Sequence, residues 1–359
     1  MDSLLDAVVR LIGIRSTADR PDELRRALDF VLSLVGPGFA VRRFESRGRP
    51  SAFLTSRPGT PRVILNAHLD VVPGADAQFT ARIDGDRLHG RGAHDMKAAA
   101  VVLATVFREV SGSLPFPIGL QLVTDEELGG FDGTGHQVAS GVRGDFVVIG
   151  EQSGLEIVTE SKGILRVRLD AAGRPSHAAY PWLGTNALLT MLEATNRLIS
   201  RYPVPMAESW TTTVNVARIS TSNTAANIVP ADASALLDIR FPPSDPDLAG
   251  RSPEEIAAHL ASVTGPRVAV TIEALGAPHS ADAASEPVRL LRAAAKAAGY
   301  DGDLLRKHGA ADGRFYSAEG IDAVIFGPGG DGQHGPEEYL DVRTLLPYRE
   351  ALTTFLRSL

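Results

Sequence analysis

Short runs of valine, isoleucine and leucine that lead straight into acidic or histidine residues constrain this chain more than any other feature. Arg62 to Leu69 carries His68 and runs on to Asp70, Ile118 to Thr124 runs into Glu126 and Glu127, and Asp145 to Gly150 stops at Glu151. Asp95 follows a glycine-rich segment, and His334 stands far along the chain. Buried strands of a mostly parallel sheet read as unbroken apolar runs, and such a sheet brings the loops at its strand ends to one edge. Polar residues in those loops converge, which is an economical way to build a metal site. Of these seven residues, five suffice to bind metal, leaving one as a base and one as support. The expectation is a metal-dependent hydrolase.

Composition removes several rivals. At 359 residues the chain is long enough for two domains, and 44% hydrophobic with 22% charged residues is ordinary for a globular protein. A net charge of −7 and a pI near 5.7 leave no basic footprint for nucleic acid or an anionic membrane. The first stretch carries Asp2 and Asp6 where a secretory leader would be basic and then apolar, and no apolar run reaches membrane-spanning length. With no cysteine, disulfides and thiolate metal sites are excluded, and a cytoplasmic setting is expected.

Periodicity gives an alternation of helices and strands in the first half. Leu4 to Ile14 and Glu23 to Leu34 have helical spacing, with Asp22 as the expected cap of the second. Lys97 to Glu109 is an alanine-rich helix that starts just after Asp95, where free N–H groups would steady a carboxylate. From about Gly163 the order becomes strand, helix, strand, strand, helix, strand, through Ile164 to Ala171, Leu183 to Ser200, Thr211 to Ile219, Ala233 to Phe241, Pro253 to Val263 and Val268 to Ala274. This split unit is read as an insertion. The helix Pro287 to Ala298 and the strand Ala323 to Gly327 resume the first domain. The predicted architecture is an α/β catalytic domain on a mostly parallel sheet, residues 1–162 and 278–359, with an inserted α+β, ferredoxin-like domain, 163–277.

Each motif has a bland reading as well as a chemical one. His68 and Asp70 alternate along an extended segment, so both point to one side, and a metal-bound histidine needs such a partner; alone, His-x-Asp is an ordinary strand end. Asp95 alone would be a helix cap. Asp125, Glu126 and Glu127 in succession repel one another unless a cation or solvent relieves them, and Glu151 repeats the arrangement after another strand. One acid after a strand is unremarkable, whereas three such edges with a histidine are not. Gly330, Gly332 and Gly335 spell the G-x-G-x-x-G of a dinucleotide site, but only 24 residues follow Gly335, too few to complete the βαβ unit. That segment is better read as a loop delivering His334.

In order and wording these motifs resemble the M20 family of metallopeptidases and amidohydrolases, the group of acetylornithine deacetylase, succinyl-diaminopimelate desuccinylase, aminoacylase and glutamate carboxypeptidase. The resemblance runs through His68-Leu69-Asp70, Gly90-Arg91-Gly92 to Asp95-Met96-Lys97, Asp125-Glu126-Glu127, Gly150-Glu151, and His334 with Glu338. It implies two divalent ions, zinc first, with cobalt or manganese compatible. Asp95 would bridge them, His68 and Glu151 would complete one site, and Glu127 and His334 the other. Asp70 would support His68, and Glu126 would be the general base. The Asp95–Met96 peptide bond is expected to be cis. The insertion resembles the family's lid and dimerisation domain, which implies a homodimer in which His177 reaches a neighbouring active site. Asn227, Arg240 and Arg314 fall where substrate carboxylate or carbonyl groups are held.

Some positions depart from the family pattern. Ala98-Ala99-Ala100 replaces a common glycine, His94 stands beside the bridging aspartate, and Ala310-Ala311 lacks the hydroxyl residues of desuccinylases. Glutamate at 151 resembles deacylases and carboxypeptidases rather than aminopeptidases or dipeptidases. The expected substrate is an N-acyl amino acid or derivative. A carboxypeptidase acting on short peptides ranks second, and a noncatalytic binder of amino-acid conjugates is the reading from another class.

Overall fold

A computed structural model describes residues 2–359. The chain forms two compact units, one from residues 1–159, 280–306 and 311–359, the other from 160–279 with 307–310. Residues 307–310, which the sequence places in the first domain, belong to the second unit. There His308 lies 3.2 Å from the Glu208 carboxylate and its ring packs against Trp210.

At the centre of the first unit four strands run parallel in the order Ile118–Val123, Val63–His68, Phe146–Ile149 and Asp322–Ile325. Every residue of the first three is buried, as expected of strands covered on both faces. Alternation sorts the side chains: Val63, Leu65 and Ala67 join the core under the helices Asp2–Ile12, Pro21–Val35, Ala98–Val110, Glu286–Ala297 and Leu345–Ser358, whereas Ile64 faces a smaller core with Val147, Ile149, Tyr316 and Ile325. The antiparallel strands Ala40–Ser46 and Arg49–Thr55 extend the sheet beyond Ile118–Val123.

Two local expectations change. The second helix begins at Pro21, whose fixed φ suits the first turn, and Asp22 sits inside that turn instead of capping it. The helix after Asp95 begins only at Ala98, because Asp95 and Met96 have non-helical backbone angles around a cis peptide bond. A small antiparallel sheet made of Arg82–Asp84, Arg87–His89, Tyr339–Asp341 and Gly330–Asp331 was not anticipated, since strands of two or three residues carry no periodic signal. It fixes the root of the His334 loop.

The second unit is a four-stranded antiparallel sheet, ordered Thr213–Ser220, Asp232–Phe241, Gly163–Ala172, Val268–Gly276, with the helices Ala187–Arg201 and Pro253–Thr264. Leu165, Val167, Leu169 and Ala171 alternate inward onto those helices. Asn186 caps the first helix and Ser252 with Glu255 forms a capping box on the second. The order matches the split β-α-β-β-α-β arrangement. Among the described residues no helix is long and apolar enough to cross a membrane.

Candidate metal centre

The first unit brings together all seven acidic and histidine residues singled out in the sequence. Val63–His68 carries His68 to the sheet edge beside Val123, and Leu69 N–H donates to the Val123 carbonyl to hold the strand end in register. The His68 ring is buried, with Nε2 2.9 Å from Asp95 Oδ1 and Nδ1 3.0 Å from the carbonyl oxygen of Asp70. The Asp70 carboxylate is farther from Nδ1, at 3.5 Å. It accepts the backbone N–H groups of Glu126, at 3.2 Å, and Glu127, at 3.0 Å. Asp70 thus braces the acidic pair as well as standing behind the histidine, a second task that its spacing from His68 did not signal.

Asp95 lies between two histidines. Oδ1 faces His68, and Oδ2 is 3.3 Å from His334 Nε2. His334 Nε2 is also 3.1 Å from Glu127 Oε2, and His334 adopts a left-handed backbone, φ 62°, that turns its ring inward from the loop. Two donor groups result, His68 with Glu126 and Glu151, and Asp95 with Glu127 and His334, each with donor atoms within 4.8 Å of one another. Gly92 makes the approach possible, since its φ is +81° and a Cβ there would lie 2.8 Å from Val71 and 2.9 Å from Lys97. Sequence reasoning passed over Gln333, which donates to Asp95 Oδ2 at 2.5 Å. Its signal was its place next to His334.

Carboxylates crowded in a buried space hold their protons more strongly. Burial, and then the charge of Glu151, push Glu126 well above the usual glutamate range, while burial together with Asp95 carries Glu127 up to about 7 despite His68. Burial and the facing Asp312 raise Asp125 to about 7, and burial raises Asp312 to about 6 against the pull of Arg314. Burial alone would lower His68, but its hydrogen bonds to Asp70 and Asp95 carry it well above its ordinary value. These shifts share one sign for stability. Between about pH 4.5 and 7 the folded protein without metal holds more protons than the unfolded chain, so its stability falls as pH rises through that window. Lys97, lowered to about 7 by burial, acts oppositely but only above that pH. Metal-free protein is therefore expected to melt at a higher temperature at pH 5.5 than at pH 7, with zinc narrowing the gap because ligands must be deprotonated to bind it. A thermal scan at the two pH values, with and without zinc, checks this, and an equal or higher melting temperature at pH 7 for the metal-free protein would contradict it.

All of the convergent donors are carboxylate oxygens or imidazole nitrogens, and one carboxylate presents an oxygen to each group. That set fits two divalent cations of the zinc, cobalt or manganese kind. Residues 64–358 match Peptidase family M20/M25/M40. The chain belongs to that family. It is 35% identical over 222 residues to a probable carboxypeptidase of Aspergillus terreus, 56% of this chain and 50% of that one, and so spans about half the length of this fungal relative. It is 28% identical over 353 residues to the succinyl-diaminopimelate desuccinylase of Acidiphilium cryptum, 93% of this chain and 92% of that one. Two solved structures share the fold: a tripeptidase from Staphylococcus aureus, with TM-score 0.80, 20% identity and 99% and 97% coverage, and an M20 family metallo-carboxypeptidase from Sulfolobus solfataricus, with TM-score 0.78, 18% identity and 99% of each chain.

The remaining M20 positions of the sequence reading are not among these donors. Arg314 is buried in the first unit, stacked on Phe131 and Phe315 and donating to the Gly129 carbonyl, so it shapes the turn after Glu127. In the second unit His177 pairs across a short bridge with Ile228, next to Asn227, whose carbonyl accepts from Ala178 N–H. Both side chains are exposed. Arg240 makes a two-pronged pair with Asp238 at 2.6 and 3.1 Å and lines a cavity of about 300 Å³ with Lys162, Thr213 and His308. Behind the acidic turn, Thr134 donates to Asp312 and receives a hydrogen bond from Asn66, which also donates to Gln121. This buried chain of polar groups had no sequence signature because its members lie 55 to 178 residues apart.

Proposed function

We propose that the protein is a dinuclear-metal amidohydrolase that removes an N-acyl group from an amino acid or amino-acid derivative. The observation that carries this reading is Asp95, one oxygen toward His68 and the other toward His334, with a second carboxylate beside each histidine. His68, Glu151 and Asp95 would hold one ion, and Asp95, Glu127 and His334 the other. When bound, such ions polarise the scissile carbonyl and make water acidic enough to attack at neutral pH. Glu126 takes the proton from the attacking water at its carboxylate and delivers it to the leaving nitrogen. The raised proton affinity that burial gives Glu126 suits a group that must both accept and return a proton. Asp70 keeps Glu126 and Glu127 at fixed depth through their backbone amides. Arg240 and Asn227 would hold the substrate's free carboxylate, with the guanidinium fork suited to two parallel hydrogen bonds. Arg314 would serve the substrate through the turn at Gly129.

A carboxypeptidase acting on short peptides is the second reading, favoured by the fungal relatives described as probable carboxypeptidases. Hydrolysis of N-acetyl and N-succinyl amino acids and of dipeptides by metal-stripped protein, before and after zinc or cobalt is restored, separates the two. Metal-restored cleavage of acyl amino acids supports the first reading and cleavage of dipeptides alone supports the second. Stoichiometric metal with no cleavage of either would favour a binding protein, and failure to bind metal would remove the proposal altogether.

We also infer a homodimer through the second unit. Tyr180, Trp182, Leu183, Leu189 and Leu192 are each at least 47% exposed, and Thr213–Ser220 is an edge strand with unpaired backbone groups on its open side. A second copy would cover both features, and His177 would then serve the active site of the other subunit. Light scattering after gel filtration is expected to give twice the chain mass of 38.0 kDa, and Leu189→Asp to shift it to the monomer. A monomeric wild-type protein at micromolar concentration would contradict this.

A further inference from the structure

The two donor groups depend on loops about 240 residues apart in sequence, Gly90 to Lys97 and Gly330 to Glu338, and one buried ion pair joins them. Arg91 donates through Nη1 to Glu338 Oε2, and through Nη2 to the carbonyl oxygens of His334 at 3.1 Å and Gly335 at 3.2 Å. The other oxygen of Glu338 accepts the backbone N–H groups of His94 at 3.1 Å and Asp95 at 3.2 Å. Both side chains are buried, Arg91 at 3% and Glu338 at 1% exposure. The His334 side chain is half exposed, and its loop is also held by the two-residue strand Gly330–Asp331, by the turn between Gly332 and Gly335, and by Gln78, whose side chain donates to the Gly335 carbonyl at 3.0 Å and the Pro336 carbonyl at 3.3 Å. The backbone N–H groups of His94 and Asp95 are thus taken by Glu338, while Asp95 Oδ1 faces His68 and Oδ2 faces His334 and accepts a hydrogen bond from Gln333.

We propose that Arg91 and Glu338 are positioning residues that set the spacing between the bridging Asp95 and His334, and so the affinity of the second metal ion. The inference rests on the dinuclear reading of the site. One carboxylate holds the backbone of Asp95, one guanidinium holds the backbone of His334, and their ion pair makes the two placements a single rigid unit. Charge-assisted, buried hydrogen bonds of this kind are short and directional, which suits a task of tenths of an ångström. Of the residues that would hold the first ion the clamp reaches only Asp95, since His68 ends a central strand and Glu151 follows another by two residues, whereas for the second ion it reaches both Asp95 and His334. Its loss therefore acts unequally on the two binding steps.

The test is titration of Co²⁺ into the metal-free full-length protein, followed by calorimetry and by the visible absorption of the bound cobalt, for wild type, Glu338→Gln and Arg91→Lys. Glu338→Gln keeps the shape and an acceptor for the two amides but gives up the charge; Arg91→Lys keeps the charge but not the fork to two carbonyls. The expected result is a second binding step weakened about 10- to 100-fold with the first nearly unchanged, and an altered spectrum only for the second ion. Unchanged steps in a folded variant, or equal weakening of both, would overturn the clamp. Should Glu338→Gln fail to fold, Arg91→Lys decides the matter by the same readout. Wild type that binds a single ion would instead overturn the dinuclear reading, so the two failures are distinguishable.

Discussion

Glu126→Gln is expected to keep both metal ions and to lose turnover by about 10²–10⁴-fold, the usual contribution of a positioned general base. Glutamine retains the size of the side chain and one oxygen toward His68 and Glu151, so the donor group keeps its shape. The backbone N–H of residue 126 still donates to Asp70. What disappears is the ability to take up a proton, which burial and the neighbouring Glu151 favour in the native side chain. Metal content by elemental analysis and kcat on the best substrate of the panel would be measured together. Full metal content with near-normal kcat would remove Glu126 from the role of base, whereas loss of metal along with activity would reassign it as a ligand.

Asp95→Ala is expected to abolish binding of both ions at micromolar concentration and to bring activity to background. Removing a partner behind a ligand costs about 10–100-fold in metal affinity, and Asp95 presents an oxygen to the histidine of each donor group, so as a ligand shared by both ions its loss is expected to exceed that range at each. His68 and His334 would then face each other across a space with no shared acceptor. Calorimetric titration with zinc reads the result. A variant that still bound one ion tightly would show that Asp95 belongs to a single site, and the bridging geometry would have to be abandoned.

The central sheet was legible because its signal is local. Val63 to His68, Ile118 to Val123 and Phe146 to Ile149 are unbroken apolar runs, and chains of that composition are stable only when buried on both faces. Strand ends then announced His68, Glu126, Glu127 and Glu151, since His68 ends a strand and each acid stands within four residues of the end of one. The second unit was legible for the same reason, with helix and strand periods switching in the order the structure shows. Asp95 was harder: local reasoning placed it on a helix N-terminus, and the helix starts three residues later. The short strands that root the His334 loop were invisible, because two or three residues define no period.

By itself, then, the sequence determined the parallel core, the inserted split unit and the kinds of donor at the sheet edge, all properties set by neighbours within a few residues. Only the tertiary structure decided that Asp70 braces two backbone amides, that Glu338 takes the N–H groups of His94 and Asp95, and that Arg314 donates to the Gly129 carbonyl. The physical reason is common to all of these. A buried polar group must find a partner wherever the fold supplies one, and here the partners come from segments 56 to 244 residues away, a distance over which no local pattern carries information.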